Sequence, residues 1–307
     1  MTTANSTSTK PLIIERTFDA PLAKLWKAWS VPAVFRMWWG PEGYSCPAVT
    51  IDFREGGKCH AAMRGADGKD IWSIGTYQEI VPNKRIVTSD DFADADGNVV
   101  PPSHYGMPGT WGDKVQMTIS FEETNGKTKQ TIKHEGLPEE MLEDCRQGWN
   151  SSLDKLEKTV TAKMKRTTFN TSIDAPADKV WNALWDDASY REWTSVFMPT
   201  SHMKADWRKG GKVLFLDGDN NGMNSVIDDL QPNKYISFRH LGEVRNGVED
   251  TSYGDMFGES HENYTLNEAN GKTELIVDID ATSEFADYFA NIFPKALAKV
   301  KEIAERN

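Results

Sequence analysis

One seven-residue stretch constrains this chain more than any other, because it occurs twice. Asp52-Phe53-Arg54-Glu55-Gly56-Gly57-Lys58 returns, 154 residues on, as Asp206-Trp207-Arg208-Lys209-Gly210-Gly211-Lys212. The shared order of an acid, an aromatic, an arginine and Gly-Gly-Lys implies one backbone solution used twice. The pattern predicts strand, tight glycine turn, strand, with the glycines where a Cβ would clash or φ must be positive. A phosphate-cradling loop is excluded, since no helical pattern follows the glycines and the P-loop spacing is absent. Asp19-Ala20-Pro21 and Asp174-Ala175-Pro176 stand 155 apart, as do Trp26 and Trp181, and Trp38 and Trp193. Independent matches at almost the same offset identify an internal duplication.

At 307 residues the chain has room for two domains, each able to bury its own core. Residues 1–10 are Ser/Thr-rich and read as a disordered tail, not a signal peptide. The first domain is expected over residues 11–163 and the second over 164–307, with no Gly/Ser linker between them. In the first, Leu12 to Phe18 reads as a strand. Asp19 is expected to cap the helix carrying Leu25, Trp26 and Trp29, with Pro21 in its first turn. Pro32 restarts a helix through Phe35, Trp38 and Trp39, and Gly40-Pro41 ends it. Strands follow over Lys58–Arg64, Ile71–Val81, Arg85–Phe92, Val115–Glu122 and Lys127–Glu135. They are joined by turns at Ala66-Asp67-Gly68, Pro82-Asn83-Lys84 and Asn125-Gly126. Pro232-Asn233-Lys234 and Asn270-Gly271-Lys272 reproduce two of those joints. Long loops at Ala93–Gly112 and Glu243–Gly258 read as lids or binding loops. Each half ends in a long helix, one with a stripe of Met141, Cys145, Trp149, Leu153, Leu156 and Val160. The other starts near Ser283 and carries Phe285, Phe289, Phe293, Leu297, Val300 and Ile303. Gly148 and Pro294 are expected to bend these helices near their middles.

Charge narrows the function. Lysines and arginines number 35 against 46 aspartates and glutamates, a formal −11, and neither half is basic. Electrostatic binding of nucleic acid or anionic membrane is therefore disfavoured. Three cysteines without a CxxC suit a reducing cytoplasm, and no apolar run reaches the length of a membrane span. Asp217-Gly218-Asp219-Asn220-Asn221-Gly222 matches the start of a calcium loop, but its strand-like flanks read as a polar hairpin turn. The histidines show no metal-ligand spacing, and His60, His134 and His240 read as hydrogen-bonded structural residues. Neither a GxSxG elbow nor a cysteine with a base partner occurs, and Cys59 and Cys145 read as small apolar packing residues. No metal, cofactor or catalytic residue is expected.

A strand, two short helices, a run of antiparallel strands and a long helix is the helix-grip order. At this point the chain resembles the START-like (SRPBCC) superfamily, and most of all the family related to the activator of the Hsp90 ATPase. The residues that carry this are Asp19-Ala20-Pro21 with Trp26, Trp38-Trp39-Gly40-Pro41, Asp52-Phe53-Arg54-Glu55-Gly56-Gly57 and Leu137-Pro138. The second half keeps Asp174-Ala175-Pro176, Trp181, Trp193 and Arg208-Lys209-Gly210-Gly211, but lacks the Trp-Trp-Gly-Pro and Leu-Pro elements. The resemblance implies an α+β fold of two tandem helix-grip domains. Each would be a curved antiparallel sheet wrapped round a long C-terminal helix, with a cavity for an apolar ligand between them. The eukaryotic co-chaperone carries a further N-terminal client-binding domain, for which this chain has no room.

With 11 Trp, 13 Phe and 8 Tyr, the aromatic content exceeds what two ordinary cores need. The candidates for a cavity in the first half are Trp72, Tyr77, Phe92, His104, Tyr105, Met107, Trp111, Met117 and Trp149. In the second half they are Phe215, Phe238, His240, Tyr253, Met256, Phe257, Tyr264, Phe289 and Phe293. The leading expectation is non-catalytic binding of a small hydrophobic or aromatic molecule. The alternatives are a cyclase- or hydrolase-type enzyme, using His104 or His134 with a carboxylate, and a chaperone-related module for a protein partner. Two buried titratable groups facing each other in a pocket favour the enzyme; filled, dry cores favour the partner module.

Overall fold

The two glycines of the repeated turn do different jobs, and the computed structural model contains each of them twice. Gly56 and Gly210 adopt φ of 76° and 77°, the left-handed region that an L side chain resists. A Cβ on Gly57 would lie 2.1 Å from the Asp52 carbonyl oxygen, and one on Gly211 would lie 1.9 Å from that of Asp206. The same bonds close both turns. The amide of Asp52 donates to Lys58 O and that of Asp206 to Lys212 O, at 2.8 and 2.9 Å. Gly56 N reaches Tyr77 O and Gly210 N reaches Ile227 O, so each turn is tied to the next strand of its sheet.

The structure describes residues 10–306 apart from 252, 253, 255 and 257. It divides into two compact units that meet between Thr161 and Ala162. The first contains strands β1 (Leu12–Phe18), β2 (Val49–Ile51), β3 (Lys58–Arg64), β4 (Asp70–Val81), β5 (Arg85–Ser89), β6 (Asp91–Ala93), β7 (Gln116–Thr124) and β8 (Lys127–Glu135). Helices α1 (Leu22–Ser30) and α2 (Pro32–Trp38) follow β1, and α3 (Leu142–Thr161) closes the unit. The sheet is antiparallel, in the order β1-β8-β7-β5-β4-β3-β2, with β6 paired to β4.

The second unit repeats the plan with β9 (Met164–Ile173), α4 (Ala177–Trp185), α5 (Asp187–Thr194), β10 (His202–Ala205), β11 (Lys212–Leu216), β12 (Gly222–Gln231), β13 (Tyr235–Arg245), β14 (Val248–Asp250), β15 (Ser260–Ala269) and β16 (Lys272–Thr282). A final helix, α6, spans Ser283–Ala304. Its strand order is β10-β11-β12-β13-β15-β16-β9, with β14 on β13. Both units are helix grips: an eight-stranded antiparallel sheet followed by one long helix.

Shared motifs have shared roles. Trp38 Nε1 donates to Ala28 O at 2.9 Å and Trp193 Nε1 to Leu184 O at 3.0 Å, locking each helix pair. Asn83, Asn125, Asn233 and Asn270 take positive φ in the expected turns. The Asp217 turn is the hairpin between β11 and β12, its carboxylate accepting from the amides of Asp219 and Asn221.

Three expectations need correction. Asp19 does not cap α1; it pairs with Lys127 at 3.6 Å, and the α1 amide of Leu22 is met by Glu123 from β7. Glu268 serves Ala177 of α4 in the same way, at 2.8 Å. The strand expected over Arg85–Phe92 is interrupted at Asp90, whose amide bonds Val115 O at 3.0 Å. The loop expected over Glu243–Gly258 begins later, because β13 runs to Arg245 and an Asn246-Gly247 turn returns the chain as β14. Gly148 and Pro294 lie inside the long helices, where the sequence places them.

Candidate functional site

The long helices are built in two parts. Every buried residue of α3 (Ser152, Leu153, Leu156, Thr159 and Val160) lies in its C-terminal half. The half from Leu142 to Trp149 instead covers a cavity of about 200 Å³ walled by Trp39, Met63, Phe92, Trp111, Leu137 and Trp149. Gly148 borders it, and a Cβ there would meet no atom of the described residues within 4 Å. In α6 the described buried residues run from Phe293 to Ala304, while Tyr288, Phe289 and Phe293 border a cavity of about 510 Å³. Trp185, Tyr190, Trp193, Phe197, Phe215 and Tyr264 form much of the rest of its wall.

Each cavity contains one histidine–carboxylate pair. In the first, His134 Nε2 lies 3.2 Å from Asp90 Oδ2. Trp149 Nε1 donates to His134 Nδ1 at 3.3 Å. That bond requires an unprotonated Nδ1, so the neutral ring carries its proton on Nε2, which lies beside Asp90 but makes no hydrogen bond among the described residues. Nδ1 is thereby engaged as the ring's acceptor, and the Asp90 carboxylate is the group left to accept from a guest. Cys145 also borders this cavity, but its thiol is pushed up to about 11 by burial and by the nearby Asp90 charge. Burial likewise pushes Cys59, on β3, up to about 12. Neither thiol is activated as a nucleophile.

In the second domain, His240 Nε2 faces Glu262 Oε2 at 3.6 Å, and Ser225 Oγ lies 2.8 Å from His240 Nδ1. The Tyr264 hydroxyl donates to Glu262. Burial, with the Glu262 charge second, raises the Tyr264 pKa well above its ordinary value. A serine, a histidine and a carboxylate invite comparison with a hydrolytic triad. Ser225, however, is 0% exposed and lies outside the cavity wall, so no substrate carbonyl can reach it. A neighbouring space of about 280 Å³ shares Met223, His240, Glu262 and Phe289 with this cavity.

The sequence-named residues fall into groups. Phe92, Trp111 and Trp149 border the first cavity and Phe215, His240, Tyr264, Phe289 and Phe293 the second. Tyr77 and Met117 border a deeper chamber of about 30 Å³ in the first domain. Trp72 stacks on His60, with centroids 4.6 Å apart, away from the cavity. Tyr105 anchors the Ala93–Gly112 loop by donating to Ala93 O at 2.7 Å, and His104 packs on its ring. Met107 is half-buried in the same loop, and neither it nor His104 or Tyr105 borders the 200 Å³ cavity. Phe238 and Met256 are buried, and neither borders the 510 Å³ cavity. Tyr253 and Phe257 lie outside the described residues. Sequence reading missed Asp90 and Glu262; the signal for Asp90 was a pair of aspartates inside an otherwise β-rich run.

Comparison with known proteins agrees with the duplication. The family model described as "Activator of Hsp90 ATPase homolog 1-like protein" matches residues 19–161 and again residues 174–305. A crystal structure of a Chromobacterium violaceum protein is 29% identical, the match covering 49% of this chain and 96% of that one at a TM-score of 0.41. A solution structure from Staphylococcus epidermidis is 26% identical over 50% and 93% of the two chains, at 0.40. An AHSA1 protein from Silicibacter pomeroyi is 24% identical over 48% and 95%, at 0.39. No curated protein matches the chain.

Proposed function

This chain belongs to the Activator of Hsp90 ATPase homolog 1-like protein family, and we propose that it binds small apolar or aromatic molecules without transforming them. The observation that carries this reading is the open space beside Gly148. A helix evolved only to seal a core would place a side chain there, because a packed methyl contributes more than an empty contact. Instead the position is glycine, and aromatic rings surround the void. Apolar walls with a few convergent polar groups are the usual make-up of a small-molecule site. The absence of an activated nucleophile among the described cavity residues weighs against a hydrolase. None of the three cysteines is in a disulfide, and no helix among the described residues is long and apolar enough to cross a membrane. We assign the protein to the cytoplasm on the cysteine chemistry.

The test is Gly148→Leu. A leucine at this position projects into the cavity, so titration of a fluorescent apolar probe into delipidated protein should show the first-domain uptake lost. Thermal melts should show the fold retained, since the side chain starts into open space, a Cβ at this position meeting no described atom within 4 Å. Wild-type protein that takes up no probe, or a variant that binds as well as wild type, rejects the proposal.

A further inference from the structure

Three side chains border both the 200 Å³ cavity and the 30 Å³ chamber beneath it: Trp39, Ser73 and Asp90. All three carry polar atoms, so they form a polar neck between an aromatic space and a chamber of about one water's size. Two of them have hydrogen-bonding capacity to spare. Trp39 is 8% exposed, and its indole N–H has no partner among the described residues. Buried donors of that kind are rare in native structures unless a ligand or water meets them. Asp90 faces His134 Nε2 through Oδ2, it borders the cavity, and a carboxylate has acceptor sites beyond that one contact. Trp149 holds His134 Nδ1, so the ring offers a guest no acceptor that competes with the carboxylate.

We propose that this neck recognises a neutral aromatic alcohol, a phenol or naphthol. Its ring lies among the cavity's aromatic side chains, its hydroxyl oxygen accepts from Trp39 Nε1, and its hydroxyl hydrogen is donated to the Asp90 carboxylate. The assignment rests on the binding function proposed above and goes beyond it by naming the ligand class. A hydroxyl is the smallest group that both accepts and donates at one atom, which is what the neck requires. A hydrocarbon leaves both protein groups unmet, and a carboxylic acid brings like charge against Asp90. Size agrees, since an apolar cavity of about 150 Å³ holds benzene and this one has room for a second fused ring. Cys145 beside the neck stays a neutral thiol and adds no competing charge.

The test titrates 2-naphthol, naphthalene and 2-naphthoate into wild type, Gly148→Leu, Asp90→Asn and Trp39→Phe. The first-domain signal is the part that Gly148→Leu abolishes. Wild type should bind naphthol about tenfold tighter than naphthalene in that site, the worth of a hydrogen bond to a charged acceptor, and should refuse naphthoate. Asp90→Asn and Trp39→Phe should each bring naphthol down to the level of naphthalene. The readout is the ratio of naphthol to naphthalene affinity within each variant, so a change in cavity shape that alters both compounds alike does not enter it. If Asp90→Asn loses naphthalene as well, Trp39→Phe decides alone. Equal first-domain affinity for naphthol and naphthalene in wild type overturns the neck and leaves the cavity reading standing. Full preference retained in Trp39→Phe also overturns it. Uptake of neither compound overturns both readings.

Discussion

Glycines decide much of this molecule one residue at a time, and not all in the same direction. Gly57 is glycine because a Cβ would stand 2.1 Å from a backbone oxygen that the turn cannot move. Gly148 is glycine with open space before it and helical backbone behind it. The same substitution should therefore have opposite signs. Gly57→Ala should destabilise the first domain by about 2 kcal/mol or more, the range for forced backbone clashes. Gly148→Ala should stabilise it by about 0.5–1 kcal/mol, through lower unfolded-state entropy and better helix propensity. Chemical denaturation of the two variants checks this, and a destabilised Gly148→Ala would mean that the space beside the helix is not free. Sequence reading recognised the turn glycines, because a repeated Gly-Gly leaves little else to infer. It identified Gly148 as a weak point in the helix, but an empty neighbourhood is not written in local sequence.

At the scale of elements, what was legible was what is local. Strands, hairpin turns and amphipathic helices follow from periodicity and from Asn and Gly at turn positions. Helix capping was misjudged because the partners come from far away. Leu22 is met by Glu123 and Ala177 by Glu268, each from a strand on the opposite side of its domain's sequence. The end of α6 is fixed in a similar long-range way. Arg306 donates two bonds to Glu192 of α5, at 2.8 and 2.5 Å. Those bonds, with Lys299 assisting, hold the Glu192 carboxyl down at about 2, against an ordinary value of 4.5. A depressed folded-state pKa means that the contribution to stability is fully present above the ordinary value. It is lost as the pH falls from about 4.5 towards 2. Glu192→Gln should accordingly be less stable than wild type at neutral pH, with the two converging across that acid window. Melting curves at several pH values check it, and a difference that persists unchanged at pH 2 would assign the effect to packing.

For the whole molecule, duplication preserved the frame while the polar groups inside it moved. Matching the Pro-Asn-Lys turns sets Asp90 opposite His240, and matching the Asn-Gly turns sets Met117 opposite Glu262. The first domain thus holds its carboxylate where the second holds its histidine, and the second domain's carboxylate replaces a methionine. The fold survived because the turns and the buried tryptophans specify it, whereas a cavity wall tolerates exchange. That is also why the sites were only partly legible. Pocket and core share one composition, so Phe238 and Phe293 look alike in sequence, yet only Phe293 borders the cavity. The tryptophans offer the most direct test that these spaces, and not the closed cores, are where ligands go. Indole N–H resonances should be followed in heteronuclear NMR spectra as an aromatic ligand such as 2-naphthol is added. Trp39, Trp149 and Trp185 border the cavities and should shift. Trp38, whose N–H is bonded to Ala28 O in the closed core, should not. Shifts spread evenly over all the indoles, or none at Trp39, Trp149 and Trp185, would contradict the account.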